Sequence, residues 1–168
     1  MTATQRPETA SAQRLIIVGV DGSEPSKAAL AWALANAHGA AVEAVYVYEP
    51  PSVTTWFVGA QPVVVPAPDT FHGLAVEALQ TAVADTIKGT GAEVAEIVAA
   101  GSPARILAEY GAKASLLVLG AHVTHGFGRL LGSTAVACVR HAPCPVVVVP
   151  VDWADHPAAA TKSLVPAT

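Results

Sequence analysis

The stretch from Leu116 to Pro150 constrains the fold more than any other part of the chain. It reads as a strand, Leu116-Leu-Val-Leu-Gly120, then a glycine-rich loop, a helix opening on Gly132-Ser-Thr134, and a second strand, Val146-Val-Val-Val149, closed by Pro150. Strands with no polar position are buried on both faces, which is the condition of a parallel sheet covered by helices. A helix that opens after a glycine loop also exposes N–H groups lacking intrahelical partners, at the positive end of its dipole. Such a place suits an anion, and phosphate is the obvious one.

The rest of the chain supplies three more strands in alternation with helices. Arg14–Val20 is a buried strand, followed by the turn Asp21-Gly-Ser23 and a helix in which Leu30, Ala33, Leu34 and Ala37 share a face. Ser23 is a candidate cap with Pro25 in the first turn, and His38-Gly39 is the expected stop. Trp32 reads as a packing residue at the helix edge. A strand over Val42–Tyr48 follows, then a stretch from Pro50 to Asp69 with five prolines, too rich in proline for a central strand. This segment, with Trp56, Phe57 and Val63–Val65, is expected to cross the sheet's carboxyl edge as a lid or interface. Next come a helix over Thr70–Lys88, a strand within Val94–Ala100, and a short helix over Ala104–Tyr110 with Ser102 as its cap and Pro103 at its start.

Five strands with a helix between each pair give a doubly wound α/β sheet with helices on both faces. Ligands bind such sheets beyond the carboxyl ends of strands where the winding reverses. If the first and fourth strands are neighbours, Asp21 and the glycine loop face each other there. Asp21 can accept from ligand hydroxyls or simply cap its own turn.

Composition narrows the function. The chain has 168 residues and is expected to form one domain over 13–150, with a disordered tail at 1–12 and a mostly flexible one at 151–168 in which Trp153 anchors the start. A net charge of −4 without a basic patch disfavours nucleic acid. No apolar run approaches the ~20 residues of a membrane span, and the opening residues lack an export-type apolar core. A cytoplasmic location is expected. Cys138 and Cys144 are too few for a disulfide framework and lack zinc spacing, so they read as reduced thiols. His122 and His125 lack a third ligand in the local sequence and read as exposed loop residues. Arg129 is placed to reach a terminal phosphate or to lie on the surface, while Arg105 and Arg140 read as surface helix residues.

Ile16-Ile-Val-Gly-Val-Asp21-Gly-Ser-Glu-Pro-Ser26, Gly101-Ser-Pro-Ala-Arg105, Leu116–Gly120, Gly132-Ser133 and His141-Ala-Pro-Cys-Pro-Val-Val-Val-Val149 together resemble the universal stress protein family, over about Gln13 to Pro150. The resemblance implies a sheet in strand order 3-2-1-4-5 and homodimers; pairing through the Val146–Val149 strand would also cover an otherwise open sheet edge. In one branch of the family it also implies an adenine-nucleotide site with the loop G-x-x-G-x9-G-[ST]. Carried onto this chain, Gly19, Val20 and Asp21 would hold the adenosine end, Val47 would lie against the adenine, and Leu119, Gly120, Gly132, Ser133 and Thr134 would line ribose and phosphates. The ligand implied is ATP, with or without Mg²⁺. Two departures stand in the loop: Val123 replaces the second glycine, and the interval from Gly120 to Gly132 is one residue short. The chain has no Gly-x-Ser-x-Gly elbow, no phosphate-loop lysine and no acidic pair for two metals, so any ATP hydrolysis is expected to be slow. A nucleotide-binding module is therefore the leading expectation. Its rivals are a protein of the same fold with an empty pocket, working through dimerisation or partner contact, and a slow ATPase.

Overall fold

A computed structural model describes residues 14–50, 57–58, 61–62, 68–121 and 131–155. Five parallel strands, β1 (Leu15–Gly19), β2 (Ala41–Tyr48), β5 (Ala95–Ala100), β6 (Leu116–Ala121) and β7 (Val146–Pro150), form one sheet in the order β5-β2-β1-β6-β7. Counted along the chain this is 3-2-1-4-5, the expected order. The remaining pair, β3 (Phe57–Val58) and β4 (Gln61–Pro62), makes a separate antiparallel ribbon within the proline-rich stretch. Trp56, Val63–Val65 and the two tails, 1–12 and 156–168, lie outside the described residues.

Side chains on each strand alternate between two cores. Ile16 and Val18 of β1, and Val20 just past its end, meet helices α1 (Glu24–Ala35) and α2 (Pro68–Ile87) on one face. Ile17 points to the opposite face, beside Leu107 of α3 (Pro103–Gly111) and Ala135 and Cys138 of α4 (Ser133–His141). Ile17, Val18, Leu117 and Val118 are fully buried, which is why these strands tolerate no polar residue. Trp32 packs against the first core, as does Trp153, which lies in a single 3-10 turn (Trp153–Asp155). No helix among the described residues is long and apolar enough to cross a membrane.

Helix α1 starts and stops earlier than its periodicity suggests. Ser23 is the N-cap, its side chain accepting from the Ser26 N–H, and Pro25 sits in the first turn. The helix ends at Ala35 because Asn36 turns its side-chain amide back to donate to the Trp32 carbonyl at 2.8 Å. His38 and Gly39 then take positive φ angles of 45° and 83° in the turn towards β2 rather than in the helix cap itself.

Two features bring the chain to the site. Strands β1 and β6 are neighbours, paired Ile16↔Leu116 through Val18↔Val118, so their carboxyl ends emerge side by side. Helix α1 leaves β1 on one face, while α3 and α4 lie on the other, and the winding reverses between these two strands.

Candidate functional site

At that reversal lies a cavity of about 300 Å³. Its floor is apolar: Val45 and Val47 of β2, Leu119 of β6 and Leu107 of α3. Val45 and Val47 are two apart and so face the same side of the sheet. The rim is polar and belongs to the starts of helices. Ser23 and Ser26 come from α1, Pro103 from α3, and Gly132, Ser133, Thr134 and Ala135 from α4. The N-cap of α4, Gly132, has no side chain to satisfy the first-turn amides, and the first helical bond runs from the Val136 N–H to the Gly132 carbonyl at 3.0 Å. The N–H groups ahead of Val136 are left for a guest, with the hydroxyls of Ser133 and Thr134 beside them.

The turn Asp21-Gly-Ser23 is held by its own polar groups. Asp21 Oδ1 accepts from the Ser23 N–H at 3.0 Å and from the Ser23 hydroxyl at 2.5 Å. Gly22 between them sits at a φ of 82°, where a Cβ would be strained. Ser26 is buried; its hydroxyl donates to the Ser23 carbonyl at 2.9 Å and accepts from the Asp21 N–H at 3.3 Å. Asp21 itself is exposed at the cavity mouth. The carboxylate thus does cap its turn, and that same engagement fixes its direction at the cavity.

Gly120 has a role that its place in the sequence pattern did not reveal. A Cβ built there overlaps the Pro25 carbonyl and comes within 2.8 Å of the Ser26 nitrogen. The close approach is made by the first turn of α1 onto the end of β6. Gly19 is different: a Cβ there comes within 2.7 Å of Leu119 Cδ2, the tip of a flexible side chain.

Of the ten residues singled out from the sequence, nine border this one cavity: Gly19, Val20, Asp21, Val47, Leu119, Gly120, Gly132, Ser133 and Thr134. Arg129 lies outside the described residues, as do Val123, His122 and His125. Val45, Leu107, Pro103, Ser26 and Ala135 also line the cavity and were not singled out. Val45 was within reach of the period-two rule applied to Val47, whereas no local signal shows that α3 hangs over β2. Both thiols are free, and burial pushes the pKa of each above its ordinary value. Among the described residues no group of His, Cys, Asp or Glu is arranged to hold a metal ion.

Comparison with known proteins agrees with this architecture. The universal stress protein family's sequence profile matches residues 13–150. A universal stress protein of Mycolicibacterium smegmatis is 35% identical over 139 residues, covering 80% of this chain and 47% of its own length. The chain thus spans about half the length of the curated relatives it matches. Among solved structures, UspA of Lactobacillus plantarum superposes with a TM-score of 0.61 at 25% identity, over 83% of this chain and 99% of that one. A universal stress protein in complex with cAMP superposes with a TM-score of 0.59 at 27% identity, over 84% of this chain and 99% of its own.

Proposed function

The chain belongs to the universal stress protein family, and we propose that within it the protein is a binding module for an adenine nucleotide, ATP or a close relative, acting in stress adaptation through its bound state. One observation carries this reading: the apolar slot of Val45, Val47, Leu107 and Leu119 runs into the unsatisfied amides at the start of α4. A flat purine suits the slot and phosphate suits the helix start. The relative in complex with cAMP supports an adenine ligand for this architecture. In this reading Asp21 accepts from ribose hydroxyls, Gly19, Val20, Leu119 and Gly120 border the sugar, and Gly132, Ser133 and Thr134 take the phosphates. Arg129 would meet the terminal phosphate, with Mg²⁺ arriving on the nucleotide. The cytoplasm is the compartment that suits two unpaired thiols.

A thermal-shift titration tests the reading. A ligand that binds only the folded state adds about 2.7 kcal/mol of stability at one hundred times its Kd. For a chain of this size that raises the melting temperature by about 5–10 °C. A flat response up to millimolar ATP with Mg²⁺ would leave an empty-pocket protein of the same fold. Steady phosphate release in the same samples, abolished by changing Asp21 and Ser133, would instead establish the slow ATPase.

Self-association belongs to the same proposal. Strand β7 pairs only with β6, so its outer edge is open among the described residues. Val151 just beyond it and Val139 on α4 are both exposed. A second copy related by a two-fold axis would cover the Val146–Val149 edge and these apolar groups. Light scattering at tens of micromolar should give twice the chain mass of 17.0 kDa. A monomeric mass there would contradict it.

A further inference from the structure

Glu49 gives the pocket a property that nucleotide binding by itself does not require. It follows Tyr48 at the carboxyl end of β2 and lines a second cavity, which shares Pro103, Ser133 and Thr134 with the first. The two form one surface running from the apolar slot past the start of α4. Among the described residues, Asp21 and Glu49 are the only charged groups on it. Asp21 is engaged by Ser23, whereas the Glu49 carboxylate has no hydrogen bond or ion pair among the described residues. Arg105, on α3, lines an adjoining groove that shares Ser102, Ala104 and Ala137 with the second cavity, and it is paired with Glu109 at 2.5 Å. An exposed carboxylate with no partner among the described residues therefore stands beside Ser133 and Thr134 at the opening of α4.

We infer that Glu49 makes the site select its adenine ligand by charge, disfavouring metal-free polyphosphates against uncharged adenosine and against the same polyphosphate neutralised by a divalent cation. The inference rests on the nucleotide reading above. The cause is direct repulsion: two like charges several ångströms apart at a partly solvated surface weaken binding by about tenfold, and a bound Mg²⁺ removes much of the phosphate's share. The α4 amides attract the first phosphate, so Glu49 acts on those beyond it.

Isothermal titration of the wild type, Glu49→Gln and Glu77→Gln tests this, with adenosine, ATP in chelator and ATP with Mg²⁺ as ligands. Glu77 is an exposed carboxylate on α2, on the far face of the sheet, and controls for net charge. Glu49→Gln should tighten metal-free ATP by about tenfold while leaving adenosine within about twofold, and Glu77→Gln should change neither. The gain from Glu49→Gln should shrink when Mg²⁺ is present and when salt is raised. Equal changes for all three ligands, no change for metal-free ATP, or the same gain from Glu77→Gln would overturn the role of Glu49 while leaving nucleotide binding intact. If no ligand binds any of the three proteins, the nucleotide reading fails and the charge selection goes with it.

Discussion

Gly120→Ala should lower the unfolding free energy by about 3 kcal/mol, the upper end of what overpacking costs, because the added methyl meets backbone rather than a movable side chain. The first turn of α1 would have to lift off the end of β6, carrying Ser23 and Ser26 with it. The urea midpoint should fall without a change in slope, and the melting temperature should drop by about 6–12 °C. Nucleotide affinity should fall with it, since the displaced serines line the cavity. Gly19→Ala is the internal control. Its methyl meets only Leu119 Cδ2 and Leu107, whose side chains can rotate, so the loss should be clearly smaller. Equal midpoints for Gly120→Ala and the wild type would mean that α1 is not seated on β6 as described.

The second large effect concerns binding rather than stability. Val47→Trp should abolish adenine-nucleotide binding, weakening it at least about 100-fold, or roughly 2.7 kcal/mol. Val47 faces the cavity from β2 and is only partly buried, so an indole there can extend into the 300 Å³ space and occupy the slot assigned to the purine. Aromatic residues suit strands, and β2 keeps both its neighbours, so the fold should survive. Circular dichroism and the urea midpoint would verify that. Wild-type affinity in a folded Val47→Trp protein would place the nucleotide somewhere other than this cavity.

How far the sequence foretells these things depends on the kind of physics involved. The central strands β1 and β6 are legible because residues such as Ile17 and Leu117 are buried on sheet faces that admit nothing polar. Their order follows from the β1–β6 adjacency, which strand–helix alternation permits but does not by itself decide; the family resemblance supplies it. The β3–β4 ribbon is not legible, since two-residue strands carry no periodicity and Pro62 argues against pairing. The end of α1 is misplaced by a few residues because the Asn36 side chain stops the helix before the glycine does. At the site, glycines and small hydroxyls mark β1, β6 and α4, but Leu107 and Pro103 look like ordinary residues of a short helix. Only packing shows that α3 overhangs Val45. The loop pattern marks Gly120 as a place where a ligand comes near, and the structure shows that the backbone coming near is the chain's own.

The resemblance and the geometry meet at a single place, the crevice between Val47 and the opening of α4. The measurement that addresses it most directly is a crystal structure of the protein grown with saturating ATP and Mg²⁺. The account predicts density for a purine against Val45 and Val47, with phosphate oxygens on the amides of Ser133 to Ala135. A purine bound elsewhere on the chain, or an unfilled crevice in crystals whose protein binds ATP in solution, would contradict it.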